Sequence, residues 1–212
     1  MTVIKICGIT NLDDALDAAK AGADSLGFNF YEMSPRYVTP GAVRDILRKV
    51  RAVSPEIMAV GVFVNEKAAR ANDIAVESGI DVLQLHGDEN PNYISALKTS
   101  LGLPIIKAFR VNDRFETAVL GDYQADAVLI DGFSESEYGG SGKRTDWDLA
   151  AKVAEAGHRL YLAGGLSAEN VGDAIRTVRP YAIDACSLLE SSKGKKDPRK
   201  VRQFIENAKK HD

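Results

Sequence analysis

The strict alternation of short apolar runs with longer amphipathic runs is the feature that most constrains how this chain folds. Apolar residues recur at the i, i+3, i+4, i+7 spacing of a helix in the longer runs, for example from Leu12 to Ala19. Alternation of strands and helices predicts a parallel sheet covered by helices. The eight short runs that predict strands are Val3–Cys7, Ser25–Phe30, Met58–Val64, Val82–His86, Pro104–Ala108, Ala127–Asp131, Leu160–Ala163 and Tyr181–Ala185.

Eight strand–helix units in 212 residues predict a closed (β/α)8 TIM barrel that forms a single domain over residues 1–212. An open doubly wound sheet is the alternative. The segment "CGITNLDD" has one glycine where dinucleotide-binding folds carry G-x-G-x-x-G, which favours the barrel. We also expect Ser167 to cap the helix after the seventh strand, and Asp197-Pro198 to begin the last helix.

Charge and hydropathy argue against several classes of partner. Lys and Arg number 27 against 30 Asp and Glu, a net charge of −3, which offers no electrostatic basis for binding nucleic acid or an anionic membrane. The apolar runs are far shorter than the roughly 20 residues that span a bilayer. The start "MTVIKICGIT" lacks the features of a signal peptide. Two cysteines do not make a disulfide framework, so the sequence predicts a cytoplasmic protein with reduced thiols.

Polar residues fall at the C-terminal ends of the predicted strands, where TIM barrels place their chemistry. Alternation along the first strand would direct Lys5 and Cys7 into the barrel and Ile4 and Ile6 toward the helices. Lys5 would then pair with a carboxylate such as Asp184 on the closing strand. The residues at these strand ends are Cys7, Gln84, His86, Lys107, Asp131, Gly164, Gly165 and Asp184.

Cys7 and Asp131 are the candidate base and acid of an active site at this end of the barrel. Cys7 is either a small buried hydrophobic residue or a general base whose thiol pKa a cation such as Lys5 lowers. Asp131 either caps the next loop or, with its pKa raised by partial desolvation, donates a proton. Cys186 lacks a comparable setting and is interpreted as structural.

Two late segments are candidates for anion binding. Gly164 and Gly165 in "LAGGLSAEN" would let backbone N–H groups approach an anion, and Ser187 in "CSLLESSKG" would close the same site. Arg36, stiffened by the preceding Pro35, is either a solvated surface residue or a fork for a carboxylate or phosphate. The segment "YGGSGKRTDW" departs from a P-loop and is interpreted as a loop and candidate lid. No cluster has metal-ligand spacing, so no metal is predicted.

These residues belong to motifs that follow one another from end to end of the chain. Taken together, they resemble the phosphoribosylanthranilate isomerase family of tryptophan biosynthesis. The resemblance implies a (β/α)8 barrel without metal or organic cofactor. It also implies the Amadori rearrangement of N-(5′-phosphoribosyl)anthranilate to 1-(2-carboxyphenylamino)-1-deoxyribulose 5-phosphate. The motifs are "KICGIT", "GFNFYEMSPRYV", "VGVFVN", "LQLHG", "KAF", "YGGSGKRTDW", "LAGGLSAENV" and "IDACSLLE…GKKD".

The resemblance assigns a role to each matching position. It implies that Cys7 is the general base, Asp131 the general acid and Arg36 the residue that holds the anthranilate carboxylate. The remaining predicted site residues are Gln84 and Asp184 for substrate and Gly164, Gly165 and Ser187 for phosphate. The chain departs from the family at Leu188, where a glycine is usual, and at Glu32 and Met33, where proline and lysine are usual.

Other functions remain open on the sequence alone. A related phosphosugar-barrel enzyme such as an aldolase would need a lysine nucleophile, for which Lys107 is the candidate. A phosphosugar-binding paralogue without turnover is a second alternative, supported by Leu188. The sequence leaves open whether the chain is a monomer or a homodimer, and whether it also accepts the aminoaldose of histidine biosynthesis.

Overall fold

The computed structural model describes residues 1–111, 115–132 and 145–211. Eight parallel strands follow one another around a closed barrel in chain order, and the last pairs with the first. The predicted TIM barrel is therefore confirmed. The strands are β1 Val3–Ile6, β2 Ser25–Asn29, β3 Met58–Phe63, β4 Val82–Leu85, β5 Ile105–Val111, β6 Ala127–Gly132, β7 Leu160–Leu162 and β8 Ala182–Ala185.

Helices form the outer layer of the barrel. A 3-10 helix, Thr117–Asp122, follows β5 where the other units described here have an α-helix. A short antiparallel hairpin, β9 Glu190–Ser192 and β10 Lys195–Lys196, follows β8. The α-helices are α1 Leu12–Ala21, α2 Pro40–Arg51, α3 Ala68–Ser78, α4 Pro91–Leu101, α5 Trp147–Glu155, α6 Val171–Val178 and α7 Pro198–Lys210.

Side-chain caps begin most of these helices, but one predicted cap is wrong. Asp197 accepts hydrogen bonds from the backbone N–H groups of Arg199 and Lys200, as the sequence predicts for α7. The α6 helix instead begins after Asn170, and Ser167 Oγ accepts from the Glu169 N–H in a turn before the helix. Ser167 therefore shapes the loop between β7 and α6 and does not cap the helix.

The alternation predicted for β1 is confirmed. Ile4 and Ile6 are buried in the layer between strands and helices, whereas Val3 packs on the cluster inside the barrel. The same holds for β6, where Val128 and Ile130 face the helices. The cluster inside the barrel consists of Val60, Val82, Ile106, Ala108, Ala127, Leu129, Tyr161, Ala163 and Ala182. Within the described residues, no helix has both the length and the apolar character needed to cross a bilayer.

A buried ion pair joins the first and last strands of the barrel. Lys5 on β1 is opposite Asp184 on β8, and its Nζ lies 2.8 Å from Asp184 Oδ1. Burial by itself would lower the pKa of Lys5, but the carboxylate of Asp184 outweighs it, so the Lys5 pKa is raised. This pair, predicted from the sequence, keeps a fully buried ammonium charged at the base of the barrel mouth.

Candidate active site

One cavity of about 460 Å³ opens at the C-terminal ends of the strands. Its size is that of a typical small-molecule site. Every site residue predicted from the sequence lines it: Cys7, Arg36, Gln84, Asp131, Gly164, Gly165, Asp184 and Ser187. The fold thus brings together residues that lie far apart in the chain, although their individual roles stay predictions.

Two thiols meet at one side of this cavity. Cys7 follows β1, Cys186 follows β8, and the Cys7 N–H donates to the Ala185 carbonyl at 2.9 Å. The hydrogen bond with Cys186 and burial raise the pKa of Cys7 well above its ordinary value. Lys5 acts in the opposite direction but is outweighed, so the low thiol pKa expected for Cys7 on the basis of Lys5 is not found.

The Cys186 thiol has the opposite shift. Its hydrogen bond with Cys7 lowers the pKa of Cys186 to about 6, and the positive charges of Lys196 and Arg36 lower it further against the cost of burial. Cys186 thus has a cation beside it that the sequence did not predict, with Lys196 Nζ 3.8 Å from its sulfur. It is the more acidic of the two sulfurs that line the cavity.

Arg36 is held in place by a buried carboxylate. Its Nε and Nη2 donate to the two oxygens of Glu190 at 2.7 and 2.9 Å, a bidentate pair. Lys196 Nζ also donates to Glu190, at 3.1 Å. Arg36 is only 8% exposed, which rules out the alternative of a solvated surface arginine. The guanidinium is thus fixed against the cavity before any ligand binds.

Asp131 lies across the cavity at the end of β6. Its Oδ1 accepts the N–H of Gly132 at 2.8 Å, and its Oδ2 lies 3.5 Å from His86 Nε2. Gln84 Nε2 lies 2.9 Å from His86 Nδ1, so the amide can donate to this nitrogen when the proton is on Nε2. Gln84 Oε1 is buried and has no hydrogen-bond partner among the described residues, although other parts of the residue line the cavity.

The loop after β7 is shaped for a close backbone approach. Gly164 and Gly165 have φ values of 86° and 65°, in the left-handed region that favours glycine. Asn170 ties the loop back by donating to the Gly165 carbonyl at 2.8 Å. A Cβ on Gly164 would lie 2.8 Å from the Gly132 nitrogen, so no side chain fits there without movement.

Leu188 borders the same cavity without strain. It is 41% exposed, and its φ is not among the positive values of the described residues. The loop therefore does not need the glycine-like conformation that a glycine at this position would permit. The segment "YGGSGKR", proposed as a lid, lies outside the described residues. Among the residues described, no group of three His, Cys, Asp or Glu side chains could hold a metal ion.

The chain matches known proteins over nearly its whole length. A family model described as N-(5'phosphoribosyl)anthranilate (PRA) isomerase matches residues 4–207. The chain is 44% identical over 209 residues to the N-(5'-phosphoribosyl)anthranilate isomerase of Trichlorobacter lovleyi, with 99% of this chain and 98% of the relative covered. It is 46% identical over 210 residues to that of Citrifermentans bemidjiense, with the same shares covered.

The chain belongs to the phosphoribosylanthranilate isomerase family. Solved structures agree with this. The phosphoribosyl anthranilate isomerase of Thermotoga maritima superposes with a TM-score of 0.90 at 39% identity, covering 99% of this chain and 100% of that one. The Thermus thermophilus enzyme gives a TM-score of 0.89 at 34% identity and 99% coverage of both chains. The chain is thus a phosphoribosylanthranilate isomerase of tryptophan biosynthesis, an isomerase of the aldose–ketose type.

Sequence reasoning missed three residues of this isomerase site. Cys186 lines the cavity together with Cys7, and Glu190 and Lys196 complete the surroundings of Arg36. Closure of the barrel, which was predicted, places the residue after β8 beside the residue after β1. The position of Cys186 next to Cys7 could therefore have been predicted from the closed barrel. Glu190 and Lys196 lie on a hairpin outside the strand–helix repeat, and the repeat gives no way to predict their positions.

Proposed function

We propose that Cys7 and Asp131 are the general base and general acid of this isomerase, acting on N-(5′-phosphoribosyl)anthranilate. The observation that carries the proposal is that both line one cavity together with a fixed arginine and a glycine loop suited to an anion. A related solved structure adds support. At 37% identity and a TM-score of 0.86, it is described as a complex with reduced 1-(o-carboxyphenylamino)-1-deoxyribulose 5-phosphate.

Asp131 acts first, as the acid. Protonation of the furanose ring oxygen by its carboxyl group weakens the bond between that oxygen and C1. The bond breaks as the anthranilate nitrogen supplies its electron pair to C1, which leaves a protonated Schiff base. A single positioned acid contributes roughly 10²–10⁴-fold to such a step.

Cys7 acts second, as the base. The positive charge of the Schiff base acidifies the proton on C2, and the Cys7 thiolate removes it to give an enolamine. Protonation of C1 and loss of the hydroxyl proton from O2 then give the ketone. The reaction moves protons only, so an acid and a base suffice and no metal or organic cofactor is required.

The other lining residues bind the substrate. Arg36 uses Nε and Nη2 for Glu190, so the N–H groups that remain on its outer edge are available for the anthranilate carboxylate. Gln84 and Asp184 bind the sugar hydroxyls from the cavity wall. Backbone N–H groups at Gly164 and Gly165, with Ser187 opposite, bind the phosphate.

We further propose that residues 1–212 act as one domain in the cytoplasm on a small phosphosugar, with no nucleic-acid or membrane partner. Either a monomer or a homodimer is compatible with the chain. One related structure is described as monomers generated from the dimeric enzyme of Thermotoga maritima. Sedimentation analysis decides between the two states for this chain.

Loss of phosphoribosylanthranilate fluorescence, coupled to its enzymatic generation, tests the two catalytic roles. Cys7→Ser and Asp131→Asn should each lower kcat by at least about 10²-fold with a much smaller change in KM, as expected for groups that act in the transition state. Asp45→Asn, on the exposed side of α2, is a matched control that should keep normal turnover. Near-normal turnover in either site variant would refute its assigned role.

The aldolase alternative finds little support in the surroundings of Lys107. Its Nζ donates to the Gly87 carbonyl at 2.7 Å and to Glu89 at 2.8 Å, and it is not among the residues that line the cavity. Burial lowers the pKa of Lys107, as a Schiff-base lysine would require, but a lysine that does not line the cavity is not placed to attack a substrate bound there. Borohydride treatment in the presence of substrate should leave the protein unlabelled, and a covalent adduct on Lys107 would instead favour a Schiff-base aldolase.

A further inference from the structure

The guanidinium of Arg36 is held by a carboxylate that opposes the binding of an anion. Glu190 accepts from Arg36 Nε and Nη2 at 2.7 and 2.9 Å, and both residues are buried. This grip fixes the fork of Arg36 and so lowers the entropy cost of binding a planar carboxylate. It also neutralises the arginine, because a carboxylate that approaches this ion pair meets one negative charge for one positive charge.

A second cation on the same carboxylate changes this balance. Lys196 Nζ donates to Glu190 Oε1 at 3.1 Å, the oxygen that also accepts from Arg36 Nε. The side chain of Lys196 is 1% exposed, so solvent ions screen its charge weakly. The formal charges of Arg36, Glu190 and Lys196 sum to one positive charge. The three side chains therefore combine a fixed arginine with a positive balance, which Arg36 and Glu190 alone would lack.

Contacts with other parts of the barrel fix Lys196 at this place. Its backbone N–H donates to Asp14 Oδ2 on α1 at 2.8 Å, and its Nζ also donates to the Cys186 carbonyl at 3.1 Å. The Cys186 sulfur is more distant, 3.8 Å from Nζ, so Glu190 is the nearer acidic partner of the ammonium. The hairpin of β9 and β10 thus delivers a buried positive charge to the carboxylate that holds Arg36.

We propose that Lys196 is a positioning residue for substrate binding, which offsets the charge of Glu190 so that Arg36 is held rigidly and still attracts the anthranilate carboxylate. Lys196 acts through Arg36, because neither Lys196 nor Glu190 is among the described residues that line the cavity. The inference rests on the proposed role of Arg36 and deepens it. It also gives a function to a fully buried lysine that lies outside the strand–helix repeat.

Two ligands that differ only in the carboxylate test this charge balance without any measure of activity. The first is reduced 1-(o-carboxyphenylamino)-1-deoxyribulose 5-phosphate, and the second is the same compound with hydrogen in place of the carboxylate. Calorimetric titration gives both dissociation constants, and their ratio measures the contribution of the carboxylate to binding. Lys196→Met should reduce this ratio about five- to tenfold, because a buried positive charge near the carboxylate is lost.

A second substitution separates the charge of Lys196 from its packing. Adding Glu190→Gln to Lys196→Met returns the sum of the charges to one positive charge, so most of the preference for the carboxylate should be recovered. A merely structural role of Lys196 would not be rescued by changing its partner as well. A double variant that binds the carboxylate ligand no better than Lys196→Met, or a loss in Lys196→Met that is equal for both ligands, would overturn the proposal.

Lys195→Met is the matched control, because it removes a lysine charge from the exposed neighbouring position on β10 and should leave the ratio unchanged. An equal loss in this control would overturn the proposal. Repeating the titrations in Cys186→Ser excludes a compensating change of charge on this thiol, and circular dichroism checks that each variant is folded. In steady-state kinetics, Lys196→Met should raise KM about five- to tenfold with a much smaller change in kcat.

Failure of this inference is distinguishable from failure of the proposed function. A wild-type enzyme that binds both ligands equally would refute the assignment of Arg36 to the anthranilate carboxylate. A wild-type preference that is lost in Arg36→Lys but kept in Lys196→Met would leave that assignment in place and refute the contribution of Lys196.

Discussion

Removing the carboxylate of Asp184, which pairs with Lys5, should destabilise the barrel strongly. Lys5 is fully buried, and Asp184 is its charged partner at 2.8 Å. Asp184→Asn leaves an unpaired ammonium inside the barrel, a change that costs about 3–5 kcal/mol. Domains of ordinary stability have about 5–15 kcal/mol in total, so the variant should fold but with a large part of its stability lost.

The variant Lys5→Met, which removes the other member of the pair, should lower the free energy of unfolding less than Asp184→Asn does. Asp184 borders the cavity, so Lys5→Met leaves a carboxylate that still reaches solvent, whereas Asp184→Asn leaves a cation without access to water. The double variant removes both charges and should be more stable than Asp184→Asn alone. A coupling of about 2 kcal/mol or more is expected for two groups in one buried pair.

The dependence on pH gives an independent check. In the wild-type chain the Lys5 pKa is raised, so the stability it contributes is fully present below the ordinary lysine value of about 10.4 and is lost only above it. In Asp184→Asn, burial without the carboxylate lowers the Lys5 pKa. The unfolded state then binds more protons, and stability rises with pH toward about 10.4. The deficit of the variant should therefore shrink between neutral pH and pH 9.

Urea unfolding at several pH values measures these differences, provided that the slopes of the unfolding lines agree. Additive costs in the double variant would refute the argument that Lys5 and Asp184 act as a buried pair. A deficit that stays constant or grows as pH rises would refute the argument that the unpaired charge on Lys5 is its cause.

Three further predictions concern binding and stability. Arg36→Lys loses the bidentate grip of Glu190 and should raise KM about tenfold or more with a smaller change in kcat; steady-state kinetics with an unchanged KM would contradict a role in binding the carboxylate. Gly164→Ala places a methyl group 2.9 Å from Asp131 Oδ1 and should weaken competitive inhibition by inorganic phosphate. Gly102→Ala is the control: Gly102 also has a positive φ, but a Cβ added there would meet no described atom within 4 Å, so this variant should lose stability and leave inhibition unchanged. Equal inhibition of both variants by phosphate would count against the phosphate loop. Glu89→Gln leaves Lys107 buried without its carboxylate and should lower the free energy of unfolding by about 3 kcal/mol, measured in urea. A change below about 1 kcal/mol would show that the carbonyl oxygens of Leu85 and Gly87, which Lys107 Nζ also contacts, are sufficient partners.

The barrel was predictable because its signals are local and repeated. Each strand is a short apolar run, and side chains alternate along it, so the inward direction of Lys5 followed from the outward direction of Ile4 and Ile6. Chain-order pairing then brought Asp184 beside Lys5. The unit after β5 departs from the repeat, with a 3-10 helix in place of an α-helix.

The positions of the site residues were predictable, whereas their protonation was not. Strand ends placed Cys7 and Asp131 at the barrel mouth. The pKa of a thiol, however, depends on every charge around it, and those charges come from distant segments. Lys5 was expected to act on Cys7 but is neutralised by Asp184, and Lys196 reaches Cys186 from the hairpin after β8.

The contact between β1 and β8 joins residues 179 positions apart in the chain. The strand β1, which Cys7 follows, is synthesised well before β8, one of its two neighbours in the barrel. Until β8 has been made, the edge of β1 that pairs with it is unpaired, and Arg36 lacks its partner Glu190. A nascent chain thus carries Cys7 without a finished pocket around it until β8 and the hairpin that follows it have been made and have paired.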